Sequence, residues 1–133
     1  MFPDLTPRSD LVFLNRPQRW GASQSVGFID LPFTTEITID AQTGNNFRLV
    51  LTGNATLRIV NLAPGQELTI LLVQDSTGSH TVTWSDGFLF ANSPPAPTLT
   101  ATADRADLLG FVAIPSSSGV QALFCGPIQD IPV

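Results

Sequence analysis

The feature that most constrains this chain is a period of two that recurs from one end to the other. In Glu36-Ile37-Thr38-Ile39-Asp40 polar and apolar residues alternate, as they do in a strand with one wet face, and the pattern points Ile37 and Ile39 inward. Phe47-Arg48-Leu49-Val50-Leu51-Thr52 repeats it, Gly53-Asn54 supplies turn residues, and Ala55-Thr56-Leu57-Arg58-Ile59-Val60 returns with Leu57 and Ile59 inward; the two runs read as a hairpin. Pro64-Gly65 marks the next turn. Leu68–Val73 then becomes apolar on both faces, the mark of a central strand covered on both sides. Thr81-Val82-Thr83-Trp84 alternates again, and Phe111–Ile114, the turn Ser116-Ser117-Ser118-Gly119 and Val120–Phe124 close the series. Only residues 101–109 have any helical character, and their Thr-rich start favours extended chain.

Short strands at turn spacings of about 8–12 residues define an all-β fold, an antiparallel β-sandwich or flattened barrel of about seven to nine strands. The 133 residues fit one domain. Two stretches break the strand rhythm. Pro3, Pro7 and Pro17 keep much of the N-terminus extended, so the chain divides into an extended arm over residues 1–24 and a sandwich over 25–133. Ser93-Pro94-Pro95-Ala96-Pro97 reads as a polyproline-like loop at a sheet edge.

Charge narrows the partners. Only 13% of residues are charged, all six cations are arginines, and the net charge is −5, which opposes the phosphate neutralisation behind nucleic-acid binding. So few solubilising groups, with a mean hydropathy of +0.22, suit a component of an assembly. No apolar run approaches the roughly 20 residues of a membrane helix, and the start MFPDLTPRSD lacks the cationic and apolar regions of a secretion signal; synthesis in a cytoplasm is expected. A single cysteine, Cys125, excludes an internal disulfide and a cysteine-rich zinc cage, and reads as a small apolar residue near a strand end.

The stretch QDSTGSHTVTWSDG (74–87) gathers the only histidine, His80, with Asp75, Ser76, Ser79 and Asp86. A hydrolase triad needs groups converging from separate elements, whereas Ser79 and His80 are neighbours that face opposite ways on extended chain. The stretch reads as a hairpin whose tip Asp75 and Gly78 shape, Gly78 in the left-handed position. Asp104 and Asp107 flank Arg105 and form the remaining candidate acid pair, but lack aromatic neighbours to stack a sugar; they read as loop acids balancing the arginine. Trp84, Phe88 and Phe90 read as core before sugar platform. No catalytic, cofactor-binding or metal-binding residue is assigned.

The succession NRPQRW (15–20), TEITIDAQTGNNFRLVLTGNATLRI (35–59), LAPGQELTILLVQDSTGSHTVTW (62–84) and PPAPTLTATADRADLLGFVA (94–113) resembles a β-domain of tailed-bacteriophage virion proteins. Such domains occur in tail fibres, head fibres and capsid decorations. The resemblance implies a non-enzymatic virion structural protein, either a capsid decoration or head-fibre component or a small tail or baseplate adaptor. It also implies a homotrimer whose partners are other virion proteins. Arg16, Arg19 and Trp20 are the expected assembly residues, since arginine and tryptophan are enriched at protein contacts; the alternative for Trp20 is that it folds back onto its own sandwich. The alternatives are a carbohydrate-binding host-recognition module, with a host glycan as partner, and a glycan hydrolase.

Overall fold

The computed structural model describes residues 27–133, so the arm and its Arg16, Arg19 and Trp20 lie outside the described residues. Those residues form nine strands: β1 (Ile29–Leu31), β2 (Glu36–Asp40), β3 (Asn46–Leu51), β4 (Ala55–Val60), β5 (Glu67–Gln74), β6 (Val82–Trp84), β7 (Phe88–Leu89), β8 (Arg105–Ser116) and β9 (Gly119–Pro132). They make two sheets, β1-β3-β5-β8-β9-β7 and β2-β4-β6, facing each other across one core. The expected all-β sandwich is present.

Its strand directions are not those expected. β1 pairs with β3, β3 with β5, β2 with β4, β4 with β6 and β7 with β9 in parallel; only β8 runs antiparallel to its neighbours β5 and β9. The run through Gly53-Asn54 is therefore not a hairpin. β3 lies in the larger sheet and β4 in the smaller, so the turn is an arch that carries the chain across the core. A two-residue type I′ hairpin needs positive φ at both central residues, and neither Gly53 nor Asn54 has it. The stretch 74–81 is an arch of the same kind, linking β5 to β6.

Arches stacked in parallel put like residues into rows. Ile29, Phe47, Ile70 and Leu109 form one row across the larger sheet, Leu31, Leu49 and Leu72 the next, and Ile37, Leu57 and Trp84 face them from the smaller sheet. Phe47, Leu49, Leu57, Ile70 and Leu109 are completely buried. Burying a side chain of that size contributes roughly 1.5–3 kcal/mol. Ile37, Ile39, Leu57 and Ile59 point inward as their periodicity requires, and β5 is central, with β3 on one side and β8 on the other.

Trp84 packs edge-on against Phe88 at 4.8 Å, and Phe90, Phe111 and Phe124 complete an aromatic cluster that joins the two sheets. These rings are packing residues and not a flat platform. Cys125 departs from its expected apolar role: it is exposed on β9. The chain over 101–109 is extended from Arg105 onward, and β9 continues to Pro132.

Candidate functional site

The arch 74–81 is held by side chains that imitate backbone partners. Gln74, buried at the end of β5, donates through Nε2 to His80 O (2.9 Å) and Thr100 O (2.9 Å), while its Oε1 accepts from His80 N (3.1 Å). One amide thus ties the arch to the 97–101 loop. Asp75 Oδ1 accepts from Thr77 N (2.9 Å) and Gly78 N (3.1 Å), and His80 Nε2 lies 2.9 Å from the same oxygen. Partial burial pushes the Asp75 carboxyl up, but the Gly78 and Thr77 N–H groups and His80 outweigh it and hold the group below its ordinary value. The ionised carboxylate can only accept, so Nε2 donates and Nδ1 is left for another partner.

Gly78 has φ +74°, and a Cβ there would sit 2.6 Å from Ala101 O. The left-handed role expected of Gly78 and the tip-shaping role of Asp75 are both present, in an arch instead of a hairpin. His80 has a partner in Asp75, but Ser76 and Ser79 are exposed and neither hydroxyl hydrogen-bonds to its ring. The constellation orients a loop.

Beside the arch lies a groove of about 330 Å³ between His80, Thr81 and Val82 on one wall and Pro97, Leu99 and Ala101 on the other. The Pro94–Pro97 run lies in the loop between β7 and β8, as residues without an N–H for a ladder suit, and Pro97 borders the groove. The loop is fixed on its other side, where Gln129 Nε2 donates to Thr98 O (2.7 Å).

The acid pair around Arg105 does not form. Arg105 reaches Asp130 instead, at 3.5 Å, and Asp104 is exposed in a left-handed turn with φ 59°. Asp107 is only 3% exposed. Its Oδ2 accepts from Thr100 N (2.7 Å) and Gln129 Nε2 (3.1 Å), and its Oδ1 from Asp130 N (3.0 Å). This carboxylate is a structural knot joining β8, β9 and the loop, not a loop acid. Sequence reasoning missed it because two of its three donors, from Gln129 and Asp130, come from a remote segment. Among the described residues no cluster of three or more histidine, cysteine or acidic side chains is arranged to hold a metal ion.

The geometry defines a β-structural module of stacked arches whose polar side chains are spent on fastening loops. The chain belongs to the family described as "Putative phage tail fibre C-terminal domain", whose model matches residues 31–108, from the last residue of β1 to the start of β8. It is a bacteriophage virion structural protein of tail-fibre type, and as such a partner of other virion proteins. No curated protein and no solved structure matches it.

Proposed function

We propose that the protein is a non-enzymatic assembly module of the phage tail fibre, working as a homotrimer in the virion. The observation that carries this reading is the coincidence of the family match with the arch stack, in which Gln74, Asp75 and Asp107 each bind loop backbone. A head-fibre or capsid-decoration site is the less favoured location, because the matching family is one of tail fibres. Arg16, Arg19 and Trp20 of the N-terminal arm make the contact with a neighbouring virion protein: guanidinium groups bind carboxylates and carbonyls, and a tryptophan anchors the contact. Light scattering should give a trimer, and a monomer in solution and in the particle would refute it. Complementation of particles lacking the protein with a form missing residues 1–24 should give virions without it.

A second reading attaches to the groove beside His80. Val82, Pro97 and Leu99 offer an apolar wall, while Thr81 and the free Nδ1 of His80 offer polar groups, a combination that suits one face of a host sugar. Saturable glycan binding lost in Leu99→Asp would support host recognition there, and its absence across a glycan array would exclude it.

A further inference from the structure

The two sheets turn different outer faces to their surroundings. On the smaller sheet the outward residues are Glu36, Thr38, Thr56, Arg58 and Thr83, polar or charged as a wet face requires. On the larger sheet they are mostly aliphatic. The register sets Leu71, Leu108 and Ile128 in one row across β5, β8 and β9, and Val112 beside Leu123 in another, with Ile128 63% exposed. Among the described residues no second layer covers them, because the smaller sheet packs on the other face.

Between these two rows runs a groove. Its floor is the row Thr69, Gly110 and Gly126, beneath two adjoining hollows of about 350 and 320 Å³ that share Thr69, Gly110 and Cys125. Gly110 is the informative residue. It lies within β8 without a positive φ, and a Cβ there would meet nothing closer than Gly126 O at 3.9 Å. Neither backbone conformation nor crowding inside the chain calls for glycine at that position. A glycine inside a strand weakens it and marks a place where another backbone or a ligand comes close.

The ridge of Leu71, Leu108 and Ile128 lies two residues along the strands from the groove, about 7 Å away. A surface that carries a ridge and a groove side by side fits further copies of itself head to tail, as a closed ring needs. An axis parallel to the rows and between them brings each ridge into the next copy's groove. Charge agrees. The ridge row continues to Arg48 on β3, and the far wall of the groove begins at Glu67 on β5, which has no ion pair among the described residues. The same ring carries each Arg48 toward the Glu67 of its neighbour. The area suffices too. The four long strands, at about 4.8 Å spacing and about 3.3 Å per residue over the length of β5, give roughly 500 Å² per copy, and three copies cover roughly 1,500 Å², the scale of a stable specific contact.

We propose that the outer face of the larger sheet lines the axis of the homotrimer, with the Leu71–Leu108–Ile128 ridge of one copy seated in the Thr69–Gly110–Gly126 groove of the next. The number of copies rests on the trimer reading above, whereas the choice of face rests on the ridge, the groove and Gly110.

Cys125, the one cysteine of the chain, is exposed at the groove and serves as its probe. In the full chain a short bis-maleimide should link Cys125 to Cys125 between copies, and light scattering should give three copies. Gly110→Val fills the groove without strain in its own strand, and Ile128→Glu charges the exposed end of the ridge. Each should raise the concentration at which the trimer dissociates by about tenfold or more, with circular dichroism unchanged, and linking should fall in step. Thr38→Glu, on the outer face of the smaller sheet, should change neither. A trimer whose Cys125 does not link, or that both variants leave unchanged, would overturn the choice of face while the trimer reading stands. Linking with a two-copy mass would overturn the ring of three. A monomer would overturn the proposal and the trimer reading together: a thiol shielded in it would assign the cover to the chain's own first 26 residues, and one shielded only in the particle would assign it to another virion protein.

Discussion

Replacing Asp107 isolates the energy of the knot that joins β8, β9 and the 97–101 loop. In Asp107→Ala three donors lose their acceptor: Thr100 N, Asp130 N and Gln129 Nε2. Gln129 belongs to an exposed residue and can turn to water, so its loss is small. The two backbone N–H groups cannot move without unfolding their segments; in the range of roughly 1–3 kcal/mol for a donor left unsatisfied, the partly buried Thr100 N costs about 2 kcal/mol and the N–H of exposed Asp130 about 1 kcal/mol. The expected loss is therefore about 3 kcal/mol, a large part of a domain's usual stability of about 5–15 kcal/mol. Asp107→Asn separates charge from shape. An amide has one accepting oxygen, so whichever way it turns its NH₂ must face a donor, either Asp130 N or the Thr100 and Gln129 pair. It should cost about 2 kcal/mol. Urea unfolding followed by tryptophan fluorescence reads both values, with an unchanged dependence on denaturant showing that the unfolded state is the same. A loss below about 1 kcal/mol for the alanine variant, or an asparagine variant as stable as the parent, would refute the account.

Leu72→Asp places a carboxylate in the row between Leu49 and Asp107, at the centre of the larger sheet, and should abolish folding; native-like circular dichroism from the soluble variant would contradict the assignment. Gly87 has φ +93°, and a Cβ there would overlap Ile59 O, so Gly87→Ala should cost at least about 2 kcal/mol by thermal unfolding. Asp75 has a folded pKa below its unfolded value, so its contribution is present above the usual carboxylate range and is lost as pH falls below about 4. Stability of the parent should fall over that window, and Asp75→Asn, less stable at neutral pH, should show a shallower fall; equal slopes would show that the arch carboxylate does not contribute.

Much of this fold is legible in the chain. The inward sets of β2, β3 and β4 follow from alternation alone, because the side-chain period of two fixes which residues are buried whatever strand lies alongside. The central position of β5 follows from its second half, apolar on both faces. That same independence is why the arches look like hairpins. Phe47, Leu49 and Leu51 would alternate with Arg48 and Val50 whether β4 lay beside β3 or across the core from it. The signal that separates the two cases is at the turn, where a tight hairpin would require positive φ from Gly53 and Asn54. Gly53 serves a different need: a Cβ there would come within 3.3 Å of Phe33. Gln74 and Asp107 were illegible for another reason. Each fastens segments that meet only in the folded molecule, Asp107 with donors from Thr100 and Asp130, and no local pattern announces such partners.

Parallel arches also give the module a polarity that an antiparallel sandwich lacks. Each arch repeats the direction of the one before it, so a further coil can be added in register wherever the stack ends on an open parallel edge. Among the described residues β1 is such an edge of the larger sheet. On the opposite side β8 reverses the direction against β5, and β9 pairs with it from Ser116 to Arg105 through two irregularities in register. No further parallel coil can continue from β5 past that hairpin. Prolines at 127 and 132, which lack the N–H a ladder needs, and the left-handed Asp130 interrupt the outer edge of β9 where β7 leaves it uncovered, which discourages lateral pairing. Among the described residues the larger sheet therefore ends differently on its two sides, on a parallel strand at β1 and on the reversed β8–β9 pair with short β7 beyond it.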